Sequence, residues 1–125
     1  MRRITLNEYL RTALVPWTNQ VLMEHEGRCL ITGTRHKVQI HHAVPFYKVR
    51  DQALQNLELP YRKFKHQYTS SQLLCLSKEV QRLHENINGY PIRKRFHEQF
   101  HQTYGPDASE DVFLSFVVRK RAAHS

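Results

Sequence analysis

Two histidines stand side by side, His41 and His42, in the run Ile40-His41-His42-Ala43-Val44-Pro45-Phe46, and a second pair, His97 and His101, is spaced by four near the far end of the chain. Imidazoles in two tight sets imply a metal, since neutral imidazole is a favoured ligand of divalent transition ions. In an extended strand neighbouring side chains point to opposite faces, so His41 and His42 serve different jobs. In a helix positions i and i+4 share a face, so His97 and His101 can serve one. One ligand, one base and two more potential ligands is the donor arithmetic of a metal-assisted nuclease.

Composition points to a polyanionic partner. Lys and Arg number 19 against 11 Asp and Glu, a formal net charge of +8, and the excess is spread along the chain. Such a field attracts nucleic acid, an attraction that salt weakens. At 125 residues and 40% hydrophobic content the chain can bury one modest core, so a single domain over 1–125 is expected. No apolar stretch approaches the ~20 residues that span a bilayer, and the start is charged before a secretory apolar region develops. The expectation is a cytoplasmic protein with no membrane partner. Cys29 and Cys75 form no Cys-x-x-Cys knuckle and read as small buried apolar residues.

The elements that must position the histidines are legible in part. Leu6, Tyr9, Leu10, Ala13 and Leu14 recur at helical spacing after Thr5 or Asn7, and Pro16 interrupts before Trp17, Val21 and Leu22 resume it. Cys29-Leu30-Ile31-Thr32 and Lys37-Val38-Gln39-Ile40-His41 read as two strands of a short hairpin turning at Gly33 through Thr34, Arg35 and His36. A helix from Tyr47 to Leu57 and a polar, basic connection from Tyr61 to Tyr68 follow. Ser70 or Ser71 then caps a helix whose stripe is Leu73, Leu76, Val80, Leu83 and Ile87, up to the Asn88-Gly89 turn signal. The next helix begins near Arg93, carries Phe96, Phe100 and Tyr104 beside His97 and His101, and stops at Gly105-Pro106. Ser109 or Asp107 caps the last, with Val112, Phe113, Phe116 and Val117.

The order of these features resembles the HNH endonuclease family, whose core is a ββα-metal (His-Me finger) fold. Cys29 to Gly33 looks like the family's first strand and turn. Ile40 to Phe46 looks like its His-His-hydrophobic-hydrophobic-Pro-Phe form, and Asn88 precedes His97 at the spacing usual between the motif's Asn and final His. The resemblance runs from about Cys29 to Tyr104, and the tail to Phe116 is similar to small phage-type and bacterial members. It implies an α+β chain with 1–27 as an N-terminal helical segment, 28–104 as the core with a helical insertion at 46–87, and 107–121 as a C-terminal helix. The Cys-x-x-Cys knuckles that hold a structural zinc in many relatives are missing, so packing must replace that zinc.

Carried over by position, the resemblance makes His42 the general base and His41 a metal ligand. His97 becomes the second ligand, and His101 a third ligand or a contact to the scissile phosphate. Asn88 orients His42, with Asn86 a rival for that role. The cofactor implied is one divalent ion, Mg²⁺, Mn²⁺, Ni²⁺ or Zn²⁺, and the partner is DNA. Arg93, Lys94 and Arg95 occupy the first turn of the metal-bearing helix, where a docked phosphate would offset the cost of cations at a helix N-terminus. Arg35 and Lys37 are further phosphate contacts, with Lys63, Lys65 and Arg119 to Arg121 behind them. His25, His66, His84 and His124 are bystanders, and His36 is unassigned.

The function expected is hydrolysis of DNA phosphodiester bonds by a metal-dependent endonuclease in a bacterial cytosol, with a phage-encoded origin among the alternatives. Two other readings stay open: a noncatalytic nucleic-acid-binding module with a structural metal, and a nuclease acting on RNA or branched substrates. Monomer and homodimer are equally compatible with the sequence.

Overall fold

A computed structural model describes residues 2–124 and shows a mixed α+β chain. Among the described residues there are six α-helices and one antiparallel pair of strands. The chain divides into two compact units, one of residues 1–17 and 46–86 and the other of residues 18–45 and 87–125. No helix among the described residues is long and apolar enough to cross a membrane.

The first unit is helical. Helix α1 (Leu6–Ala13) starts where the Thr5 side chain accepts the Glu8 N–H. Helix α2 (Val15–Glu24) begins in this unit, and Pro16 sits in its first turn, where a missing N–H costs nothing. Helix α3 (Phe46–Asn56) and helix α4 (Ser70–His84) pack together, and α1 packs on α4. Leu6, Leu10, Val49, Ala53, Leu76 and Val80 form the buried faces. The cap of α4 is Thr69, one residue before the serines expected. Its hydroxyl accepts the Gln72 N–H while Gln72 returns a carbonyl to the Thr69 N–H, a reciprocal box that Ser70 and Ser71 cannot make. The helix also ends at His84, short of Ile87. His84 is fully buried, its Nδ1 donating to the Val80 carbonyl and its ring edge-on to Trp17, and burial lowers its pKa. Cys75 is exposed, against expectation; the apolar stripe of α4 passes through Leu73 and Leu76 and leaves position 75 outside.

The second unit holds the strands. Strand β1 (Val38–His42) pairs with β2 (Gly89–Arg93) in the register His41 to Tyr90 and His42 to Gly89. The expected hairpin partner, Cys29 to Thr32, is instead a tight turn, closed by Gly33 N–H to Cys29 O and Cys29 N–H to Thr34 O. It turns too soon to build a ladder and lies along the outer edge of β2. There Leu30 N–H reaches Pro91 O, and Cys29 Sγ accepts the Arg93 N–H at 3.2 Å. That geometry explains how a proline sits in β2. In an antiparallel ladder one residue's N and C=O face the same side, so with its carbonyl turned outward Pro91 removes no bond to β1.

Helix α5 (Lys94–Tyr104) follows β2 directly, and helix α6 (Glu110–Ala123) starts at the Ser109 cap, whose hydroxyl accepts the Val112 N–H. Cys29, Ile31, Ile92, Phe96, Phe100 and Phe113 form the core, with Phe116 and Val117 completing it. Phe100 meets Phe113 and Phe116 edge-on at centroid separations of 5.2 and 5.3 Å, a preferred aromatic geometry.

Candidate metal centre

Strand alternation turns His41 inward, where it is 5% exposed and stacks on Phe113 with ring centroids 3.9 Å apart and planes 12° from parallel. Phe96 and Phe100 bury one face of α5, and their packing fixes the rotation that carries His97 and His101 toward His41. One ring nitrogen from each of the three lies within 4.8 Å of the others, so His41, His97 and His101 can hold a metal ion.

The hydrogen bonds around the rings decide which nitrogens face the centre. His97 Nδ1 lies 2.9 Å from Gln39 Oε1, and His101 Nδ1 lies 3.2 Å from the Gly105 carbonyl. Both oxygens only accept, so both Nδ1 atoms carry the proton and, in the neutral rings, both Nε2 atoms present lone pairs. Those two Nε2 atoms are 2.9 Å apart, and His41 Nδ1 is 3.4 Å from the His97 one. Two lone pairs at that separation repel unless a proton or a metal cation lies between them. Burial pushes the His41 pKa down to about 3, helped by His97, His101 and His42; burial and then His101 push His97 down to about 4. Both rings are therefore neutral near pH 7, as ligands must be.

Gln39 was not singled out from sequence, although the i, i+2 rule puts it on the same face of β1 as His41. A carbonyl that fixes the tautomer of a ligating imidazole supports affinity by about 10–100-fold. Gln39→Leu is expected to weaken nickel or zinc binding by about that factor, read by isothermal titration, with circular dichroism unchanged. Equal affinity would remove Gln39 from the centre. Glu110 was missed as well. Its carboxylate accepts from Tyr90 Oη at 2.7 Å and Asn88 Nδ2 at 3.0 Å, and these bonds lower its pKa. Burial, then Glu110, raises Tyr90 to about 12. Nothing in the local sequence signals this contact, because Glu110 arrives on a later helix.

His42 follows His41 on β1 and is half-buried, its side chain directed to the opposite face of the strand. Asn88 accepts the Ala43 N–H with its main-chain carbonyl at 2.9 Å, pinning the residue after His42, while its side-chain amide goes to Glu110. Asn86 is exposed. Arg93 is the N-cap of α5, and Lys94 and Arg95 lie exposed in its first turn, with Arg95 over the Phe96 ring. Lys37 adopts a positive φ and its carbonyl takes the Lys94 N–H, which brings the turn before β1 to the start of α5. Arg35 is exposed and its Nε donates to the Glu26 carbonyl. Searches against family models, curated proteins and solved structures find no match to this chain.

Proposed function

We propose that the chain is a divalent-metal-dependent endonuclease of the HNH type, with β1, β2 and α5 as its ββα-metal core, hydrolysing DNA phosphodiester bonds. The observation that carries this reading is the convergence of imidazole lone pairs from a strand and a following helix, with a further histidine at the adjacent strand position. His41, His97 and His101 hold the ion. Three protein ligands are the number found where a position stays open for reaction, whereas structural zinc takes four. The all-imidazole set suits Zn²⁺ or Ni²⁺ better than Mg²⁺ or Mn²⁺, which prefer oxygen donors. A divalent cation bound there supplies Lewis-acid stabilisation of the charge developing on the phosphate and the leaving oxygen.

The chain's own residues do the rest. His42 accepts the proton of the attacking water, and Asn88 holds the backbone beside it through Ala43. Lys94 and Arg95 take the phosphodiester backbone at the start of α5, where the positive end of the helix dipole favours an anion. The test is nicking of supercoiled plasmid with each metal, with chelator, and with His97→Ala. Metal-dependent nicking that chelator and His97→Ala abolish is expected, and nicking that persists in chelator overturns the proposal. Parallel RNA and branched substrates separate the DNA reading from its alternatives.

A further inference from the structure

The start of the chain and the basic connection before α4 meet within the first unit. Leu6 N–H reaches the Lys63 carbonyl at 2.8 Å and Lys65 N–H reaches the Ile4 carbonyl at 2.9 Å, so Thr5 and Phe64 form an antiparallel bridge. Beside this bridge opens a hollow of about 420 Å³, lined by Arg2, Arg3, Lys65 and His66 together with Ile4, Tyr68 and Leu73. That volume falls within the ~300–1,000 Å³ of small-ligand sites.

Its charge is uncompensated. Glu8 takes a two-pronged bond from Arg2, at 2.9 and 3.0 Å. Among the described residues no carboxylate pairs with Arg3, Lys63 or Lys65. Clustered cations repel one another, and a bound anion reverses that cost. Neighbouring rings hold these cations in place: Arg3 and Lys63 lie over Phe64 at 5.9 and 5.5 Å, Lys65 lies over Tyr9 at 5.2 Å, and His66 is stacked with Phe64. Cations beside a lining of Ile4, Tyr68 and Leu73 suit a strand whose bases are free to leave their partners. A stacked duplex offers the outside of its backbone and keeps its base faces covered.

We propose that this pocket binds an unpaired nucleotide of a nucleic-acid strand, its phosphates on Arg3 and Lys65 and its base against Ile4 and Leu73 beside His66. The residues belong wholly to the unit that lacks the three-imidazole centre, so binding here stands apart from the nuclease reading. The probes are fluorescein-labelled dodecathymidylate, the same strand in duplex with dodecadeoxyadenylate, and a uridylate dodecamer, followed by anisotropy across a salt series.

The single strand is expected to bind more tightly than the duplex. Arg3→Ala with Lys65→Ala should weaken it about tenfold or more and flatten the log–log salt slope by about 1.4, at ~0.7 per lost phosphate contact on a single strand. Lys48→Ala with Lys78→Ala, exposed lysines outside the pocket, should leave it unchanged. An unchanged circular-dichroism spectrum and urea midpoint in the Arg3/Lys65 variant show that the protein, the helical first unit included, is folded, and the DNA and RNA arms report the sugar preference. Preference for duplex, an equal loss in the Lys48/Lys78 variant, or binding to phosphatidylserine vesicles but not to the oligonucleotides overturns the proposal. Absence of plasmid nicking alongside a weakened Arg3/Lys65 variant rejects the nuclease and keeps the pocket.

Discussion

Replacing His42 with alanine is expected to slow plasmid nicking by about 10²–10⁴-fold, the range that a positioned general base contributes. Metal affinity should not change. The separation follows from strand alternation: His41 turns into the core to meet His97 and His101, and His42 turns the other way. Single-turnover cleavage and nickel titration on the same protein read the two effects independently. Wild-type cleavage by the variant would dismiss His42 as the base. Loss of the metal along with activity would make it a fourth ligand, and the centre a closed one.

The second large effect is on stability. Phe113 is fully buried, lies flat on His41, and meets Phe100 edge-on. Truncation to alanine removes a core ring and leaves a void, a cost of about 3–5 kcal/mol. That is a large share of the ~5–15 kcal/mol that holds a typical domain together. A urea titration of the metal-free protein should show the midpoint fall steeply for Phe113→Ala and much less for Phe113→Leu, which keeps most of the volume. Saturating nickel should restore part of the loss by mass action on the folded form. A midpoint unchanged by Phe113→Ala would mean that the ring does not support the strand that carries His41.

Helix-bound features were legible because their rules are local. The stripe Phe96, Phe100, Tyr104 placed α5, and the i, i+4 spacing placed His97 and His101 on one side of it; Ser109 and Thr5 were readable as caps. Strand pairing was not. Gly89 and Pro91 both lower strand propensity, so β2 looked like a turn and the lead-in to a helix. Cys29 to Thr32 carries the apolar pattern of a strand yet spends its backbone groups on its own turn. The partner of β1 had to come from a distant segment, and no periodicity within either segment names it. Gln39 was within reach of the same alternation that separates His41 from His42. Glu110 was not, since its link to Asn88 and Tyr90 exists only after α6 has docked.

The register that pairs His42 with Gly89 places the two ends of the 46–86 excursion side by side, joined by the Ala43 to Asn88 bond. Closing so long a loop costs entropy that grows with the logarithm of its length, unless the intervening residues have already condensed. Packing of α3 on α4 shortens the loop that remains to be closed, and so lowers the entropy cost of the ladder that carries His41. A chain with that excursion still open does not bring His41 beside His97 and His101, so the completeness of the imidazole cluster depends on a segment that contributes none of its members.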